Sequence, residues 1–223
     1  MNRKNQLIII LLIFILIIML VRKNKKKNFT KTYMKNGKVV VYTKRRIPLK
    51  KYKDAEKLGK MYINSYIKKV KTLPDHSAVM FDIDDTLLYV PTRNNGNLTL
   101  IKPMKNLLDF CISKGLLVII ITARASEHRK YTIDELNKHG INYSSLYLHE
   151  IHPDETSEEF NNFKSNIKKY LFQKYKIKII MSVGDNNIDV IGKYSGYGLK
   201  LPNKNDPALY EVYPDSSQLT KFG

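Results

Sequence analysis

Short apolar segments alternate with amphipathic ones from Ala78 onward, and this alternation constrains the fold more than any other feature of the sequence. The apolar segments have the length of buried strands, whereas the amphipathic ones repeat apolar residues at helical spacing. The predicted strands are Ala78–Phe81, Leu116–Thr122, Leu146–Leu148, Lys178–Val183 and Gly198–Leu201. The predicted helices include Asp54–Val70, Ser126–His139 and Glu158–Tyr175. Strands that alternate with helices predict an α/β fold, a doubly wound parallel sheet with helices on both faces.

Polar residues follow these strands at their carboxyl ends, where folds of this class bind ligands. Three carboxylates crowd the segment Phe81–Thr86, and their mutual repulsion is costly. A divalent cation would neutralise them, and Mg²⁺ prefers hard oxygen ligands. The residues expected to converge on one crevice are Asp82, Asp84, Thr122, Arg124, Lys164, Asp185 and Asp189. They suit a phosphate held against a magnesium ion, although Phe81–Thr86 alone also fits an acidic turn without function.

Four ordered motifs stand at these positions: Phe81–Leu87, Ile121–Arg124, Lys164 and Gly184–Asp189. In this respect the chain resembles the haloacid-dehalogenase-like phosphohydrolases, over about Tyr62 to Pro214. Within that superfamily it is most similar to the acid phosphatase group related to plant vegetative storage proteins. The details that favour this group are Phe163-Lys164-Ser165, Thr132 near Leu136, and Leu199–Asn203 after the last motif.

The resemblance implies a role for each motif. Asp82 would be the nucleophile that forms an aspartyl-phosphate, and Asp84 would act as general acid and then as general base. Thr122 and Lys164 would bind phosphoryl oxygens, with Lys168 and Lys169 as rival candidates for the lysine. Arg124 would either bind substrate or brace a carboxylate. Magnesium would be held by Asp82, the carbonyl of Asp84, Asp185, and Asp189 directly or through water.

The resemblance also implies a phosphomonoester substrate and a site without a large cap domain, because the segments after Asp84 and Arg124 are short. Asp85 is expected to anchor its loop through backbone hydrogen bonds. A fold that is retained without turnover, as in a storage or membrane-associated protein, is one alternative function. A phosphatase that trims nucleic-acid phosphate ends is another. No obligate protein partner is predicted.

The segment Leu7–Val21 is an uninterrupted apolar run, which predicts an N-terminal hydrophobic anchor over residues 1–21. Flanking basic residues would extend a run of this length by snorkelling. A cleaved signal peptide is the alternative, but basic residues rather than small ones follow Val21. The remaining organisation is a polybasic juxtamembrane linker over 22–53 and a phosphatase domain over 54–223.

Positive charge is concentrated beside the predicted anchor. Residues 1–77 contain 21 Lys and Arg against 3 Asp and Glu, whereas residues 78–223 contain 18 against 17. The run Arg22–Lys53 holds 14 basic residues and no acidic one. Such a run predicts binding to anionic membrane lipids, with a solvated linker or nucleic-acid binding as alternatives. Positive-inside counting places the catalytic domain of this single-pass chain on the cytoplasmic side, the alternative being a secreted or lumenal location.

Two further groups of side chains are expected to be structural. Cys111 is the only cysteine and lies on the apolar face of a predicted helix, which favours core packing over nucleophilic chemistry. His149, Glu150, His152 and Asp154 resemble a metal-ligand cluster, but a loop with His-x-x-His spacing is more typical of polar surface.

Overall fold

The computed structural model describes residues 29–35, 38–44, 49–91, 98–206, 208–213 and 220–221. Two compact units make up the chain, residues 1–46 and residues 47–223. In the first unit, strands β1 (Phe29–Lys35) and β2 (Lys38–Lys44) form an antiparallel ribbon. The predicted anchor Leu7–Val21 lies outside the described residues. None of the helices among the described residues is long and apolar enough to cross a membrane.

A seven-stranded sheet forms the centre of the second unit. The helices in chain order are α1 (Leu49–Val70), α2 (Lys102–Ser113), α3 (Arg129–Lys138), α4 (Ser157–Tyr175) and α5 (Asn187–Val190). The strands are β3 (Ser77–Phe81), β4 (Leu88–Tyr89), β5 (Thr99–Leu100), β6 (Leu117–Ala125), β7 (Ser145–His149), β8 (Lys178–Gly184), β9 (Tyr197–Lys200), β10 (Tyr210–Val212) and β11 (Thr220–Lys221). The sheet order is β11-β10-β9-β8-β3-β6-β7, and β4 pairs with β5 separately. The predicted α/β fold with a mainly parallel sheet is confirmed.

The structure departs from the predicted elements at several places, and the short elements β4, β5 and α5 are among those that were not predicted. Helix α1 begins at Leu49, so it takes up the last residues of the segment predicted to be linker. The edge of the sheet beyond β9 is antiparallel, because β10 and β11 return as hairpins. The segment predicted as one helix from Ser126 begins with a 3₁₀ turn over Ser126–His128 and continues as α3. The strands β10 and β11 and the 3₁₀ turn each span only two or three residues, which is too short for a periodic pattern to reveal them.

Strand β3 divides the core into two layers, because successive side chains of a strand point to opposite faces. Val79 and Phe81 pack into the cluster that contains Met104 and Leu107 of α2. Ala78 and Met80 pack into the second cluster, which contains Leu171 of α4. Helices α1, α2 and α3 contribute to the first layer and α4 to the second. Cys111 is buried in the first layer, as the sequence predicts.

The pairing of β3 with β8 contains one irregularity. Ala78 lies opposite Ile179, whereas Val79 lies opposite Met181, so that Ile180 is an extra residue in β8. Beyond this bulge the register is regular, and Phe81 lies opposite Val183. Consequently Asp82 and Gly184 leave the sheet side by side at its carboxyl edge.

Candidate active site

The predicted site residues lie around one cleft of about 690 Å³ at the carboxyl ends of β3, β6 and β8. Those that line the cleft are Asp82, Asp84, Thr122, Lys164, Asp185 and Asp189, and Asp85, which was not predicted to be part of the site, lines it as well. Arg124 contacts the same site through Asp84. Because three parallel strands end at the same edge, residues separated by about 100 positions in the sequence are neighbours in space.

Lys164 is the central cation of the site. It is 2% exposed, and its Nζ donates to Asp82 Oδ1 at 2.6 Å and to Asp189 Oδ1 at 2.5 Å. Helix α4 carries Lys164 two turns after its start, which is fixed by a capping box between Thr156 and Glu159. Although burial opposes the charge on Lys164, Asp189 and Asp82 raise the pKa of its ammonium group above the ordinary value.

Negative charge nevertheless exceeds positive charge around Lys164. Carboxylate oxygens of Asp82, Asp185 and Asp189 lie within 4.8 Å of one another, and all three residues are buried. Burial raises the pKa of Asp82 well above its ordinary value, against the charge of Lys164 and with the help of Asp189 and Asp185. Burial, with Asp189 and Asp85, also raises the pKa of Asp185 to about 7. The cluster is therefore short of positive charge.

This donor set fits a magnesium ion. Three clustered carboxylates supply the hard oxygen ligands that Mg²⁺ prefers, and a divalent cation would offset the charge that Lys164 leaves uncompensated. Among the described residues, no other group of His, Cys, Asp and Glu has a comparable arrangement. The side chain of Asp84 is not part of this group; the predicted ligand there is its backbone carbonyl, which stays a prediction.

Gly184 makes the approach of Asp189 sterically feasible. A Cβ atom added at Gly184 would overlap the Cβ, Cγ and Oδ2 atoms of Asp189. Asp189 is held in place by the backbone N–H of Asn186, which donates to its Oδ2 at 2.8 Å. Asp185 is therefore one metal-ligand candidate, and the missing side chain of Gly184 leaves the space that Asp189, a second candidate, needs.

Asp84 and Arg124 form a bidentate ion pair. Arg124 Nε donates to Asp84 Oδ2 at 2.8 Å, and Nη2 donates to Oδ1 at 2.6 Å. The side chain of Asp84 is 39% exposed, whereas that of Arg124 is only 11% exposed. Arg124 thus contacts a carboxylate in the structure, and its alternative role in binding substrate stays a prediction. A planar guanidinium of this kind fixes the direction in which Asp84 faces the cleft.

Asp85 and Thr122 shape the walls of the cleft. Asp85 has a φ of 54°, its N–H donates to the Leu88 carbonyl, and its Oδ1 accepts from Val90 N at 3.0 Å. It anchors its loop as the sequence predicts. Thr122 is 1% exposed, and its Oγ1 accepts from Arg124 N at 3.3 Å, while the residue itself lines the cleft.

Sequence reasoning missed two buried polar side chains near the site. Lys168, weighed only as a rival to Lys164, is 1% exposed and bonds to the loop that carries Asp189. Its spacing of four residues from Lys164 was the available signal, because residues i and i+4 share a helix face. His149, expected at the surface, is buried and lies 2.6 Å from Glu155, with Phe160 and Phe163 against its ring.

One family description matches this chain. The family HAD superfamily, subfamily IIIB (Acid phosphatase) matches residues 89–207, more than half of the sequence. The chain belongs to this acid phosphatase family. The resemblance stated from the four motifs is therefore confirmed, and membership places the chain among the HAD-type phosphatases. The match begins after Asp82 and Asp84, so the case for those two residues depends on the geometry described above.

Solved structures agree at the level of the fold. The class C acid phosphatase from Bacillus anthracis has a TM-score of 0.51 with 16% sequence identity, over 66% of each chain. The same enzyme with tungstate bound has a TM-score of 0.51 with 18% identity, over 65% of each chain. A Pnkp1/Rnl/Hen1 complex matches at 22% identity with a TM-score of 0.41, over 50% of this chain and 39% of the other. The chain thus spans between 39% and 66% of these structures. No curated protein sequence matches it.

Proposed function

We propose that this acid phosphatase family member is a magnesium-dependent phosphomonoester hydrolase that works through an aspartyl-phosphate. The observation that carries the proposal is the buried cluster in which Lys164 contacts both Asp82 and Asp189, with Asp185 beside them. Phosphoryl transfer needs chiefly positioning and charge stabilisation, and this cluster is suited to both. Family membership supports the same reaction class.

In the first step, a carboxylate oxygen of Asp82 attacks phosphorus while the bond to the leaving oxygen breaks. Asp84 gives a proton to the departing alkoxide, and Arg124 holds Asp84 in the orientation for this transfer. Lys164 keeps Asp82 directed toward the cleft and offers positive charge to the phosphoryl oxygens, to which Thr122 adds a hydroxyl.

In the second step, Asp84 takes a proton from water, and the water oxygen attacks phosphorus. The bond between Asp82 and phosphorus then breaks, which releases inorganic phosphate, restores the Asp82 carboxylate and leaves Asp84 protonated for the next cycle. Asp82, Asp185 and Asp189, with the Asp84 carbonyl, would hold Mg²⁺. When bound, this ion would supply positive charge to the carboxylates and to the phosphoryl group.

The direct test measures phosphate release from an aryl phosphate by the full chain in mild detergent, with Mg²⁺ or with a chelator. Asp82→Asn should abolish turnover, because an amide is not a competent nucleophile here. Asp75→Asn is the matched control, since Asp75 is an exposed aspartate in the turn before β3. Full turnover by Asp82→Asn would refute the nucleophile assignment. A folded wild-type chain that is silent across a broad panel of phosphoesters would favour the storage or membrane-associated alternative.

We also propose that residues 1–21 anchor the chain in a membrane, with the catalytic domain on the cytoplasmic side. The apolar run Leu7–Val21 and the basic run Arg22–Lys53 support this proposal. Protease added to sealed inside-out vesicles should digest the catalytic domain. In right-side-out vesicles, the protease should reach the domain only after detergent has opened the membrane. The reverse pattern would indicate the secreted or lumenal orientation.

Anionic lipid is the partner that we propose for residues 22–53. The β1–β2 ribbon lies within this segment, and its two strands contain four lysines and no acidic residue. Deleting Leu7–Val21 isolates the contribution of the basic segment. The shortened chain should float with anionic vesicles at low salt and be released at high salt, whereas neutral vesicles should not bind it. Preferential binding to single-stranded nucleic acid at matched salt would instead support the nucleic-acid alternative.

A further inference from the structure

Lys168 is a buried lysine with no role in the chemistry proposed above. It lies one helical turn after Lys164 on α4, and it is 1% exposed. Burying its ammonium group removes that group from water, which costs free energy that an apolar side chain of similar size would not cost. A buried ammonium group is expected to form specific hydrogen bonds that offset this cost.

The side chain of Lys168 forms hydrogen bonds with helix α5, which contains Asp189, and with the loop that follows α5. Its Nζ donates to the backbone carbonyl of Asp189 at 2.5 Å and to Ser195 Oγ at 2.9 Å. Ser195 Oγ in turn donates to the Ile191 carbonyl at 3.1 Å. Ser182 Oγ on β8 donates to the Ser195 carbonyl at 2.7 Å, which ties the same loop to the sheet.

Helix α5, on which Asp189 lies, is too short to be stable as an isolated helix. It spans only Asn187–Val190, a single turn, and an isolated turn of helix is unstable because nucleation is unfavourable. Its terminal carbonyls lack partners within the helix, and Lys168 satisfies the one that belongs to Asp189. Gly192 completes the contact with α4, because a Cβ added there would lie 3.0 Å from Ser165 Oγ.

We infer that Lys168 is a positioning residue for the metal-ligand candidate Asp189. Two lysines of helix α4 form hydrogen bonds with Asp189: Lys164 donates to its carboxylate, and Lys168 donates to its backbone carbonyl. This inference depends on the proposed magnesium site. Support by groups around a ligand commonly accounts for about 10- to 100-fold in metal affinity or activity.

The experiment measures Mg²⁺ binding to the full chain by calorimetry, with Mg²⁺ alone as the titrant. Lys168→Met should weaken binding by about 10-fold or more. Removing a positive charge would by itself strengthen the binding of a cation, so weaker binding is the signature of lost positioning. Lys168→Arg should restore part of the affinity, because it keeps a donor. Lys169→Met is the control, since Lys169 is exposed on the same helix.

Two further measurements separate positioning from general damage. In Lys168→Met, kcat for an aryl phosphate should fall while KM changes little, and the amides of residues 186–192 should exchange hydrogen faster. If Lys168→Met does not fold, Ser195→Ala removes one acceptor of Lys168 and should weaken Mg²⁺ binding in a folded chain.

Unchanged or tighter Mg²⁺ binding in folded Lys168→Met overturns the inference, as does unchanged binding in Ser195→Ala when only that variant folds. A wild-type chain that neither binds Mg²⁺ nor releases phosphate overturns the proposed function as well. If the wild type binds Mg²⁺ and releases phosphate, and the variants bind Mg²⁺ as the wild type does, only the inferred role of Lys168 is overturned.

Discussion

Replacing Lys164 by Met tests the electrostatic account of the site most sharply. The change removes the only cation in contact with Asp82 and the Asp189 carboxylate among the described residues, and it leaves a side chain of similar volume. Two carboxylates whose oxygens lie within 4.8 Å of each other repel by at least about 3–4 kcal/mol at an effective dielectric constant of about 20. Breaking a buried ion pair by removing one partner costs about 3–5 kcal/mol in measured cases. The two figures agree in size.

The expected result is a loss of about 3–5 kcal/mol in the free energy of unfolding when a chelator is present. For a domain of this size, that corresponds to a fall of about 6–20 °C in the midpoint of thermal unfolding. Saturating Mg²⁺ should recover part of the loss, because the ion replaces the missing positive charge. Phosphate release should fall by at least about 100-fold even at saturating Mg²⁺, since the phosphoryl oxygens also lose a cation.

The assay is thermal unfolding followed by circular dichroism in chelator and in Mg²⁺, with phosphate release measured on the same preparations. Lys169→Met is the matched control, and it should resemble the wild type in both assays because its ammonium group is exposed. If Lys164→Met unfolds within 2 °C of the wild type in chelator, the buried charges are not coupled as described. The reasoning would then be refuted.

Three further predictions concern single positions. Gly184→Ala should lower Mg²⁺ affinity by about 10- to 100-fold, as measured by calorimetry, because the new Cβ displaces Asp189; wild-type affinity would contradict this. Thr156→Ala removes the capping box of α4 and should cost about 1 kcal/mol in urea unfolding while phosphate release changes little; an unchanged unfolding midpoint would argue against the cap. Cys111 should react with a thiol reagent at pH 8 far more slowly in the native chain than in urea, because burial raises the pKa of its thiol to about 12 against the opposing charge of Lys60; equal rates would contradict its burial.

The sequence predicted the carboxyl edge of the sheet well, for a physical reason. Short apolar runs such as Lys178–Val183 are typical of buried strands in a chain of this alternating pattern, and parallel strands bring their ends together. Asp82 and Asp185 follow such runs directly, so their proximity could be predicted from position alone. The role of Asp85 could be predicted in the same way, because Asp in a tight turn bonds to nearby backbone amides.

Other features depend on contacts that no local pattern encodes. The pairing of Arg124 with Asp84 joins residues 40 positions apart, and its geometry follows from the rotamers of both side chains. The burial of Lys168 depends on where α5 and its loop pack against α4. His149 is buried because Phe160 and Phe163 cover it after the chain turns back into α4. Polar residue types favour the surface on average, and only the folded chain shows the exceptions.

The extra residue in β8 bears on how this protein tolerates insertions and deletions. Ile180 shifts the second half of β8 by one position against β3, and only with that shift does Gly184 emerge beside Asp82. Deleting Ile180 would close the bulge but keep the pairing of Val79 with Met181 and of Phe81 with Val183, because Ile180 and Met181 lie in the same core layer. Inserting a residue between Met181 and Gly184 would instead turn the residues that follow to the opposite face, which would separate Asp185 and Asp189 from their partners.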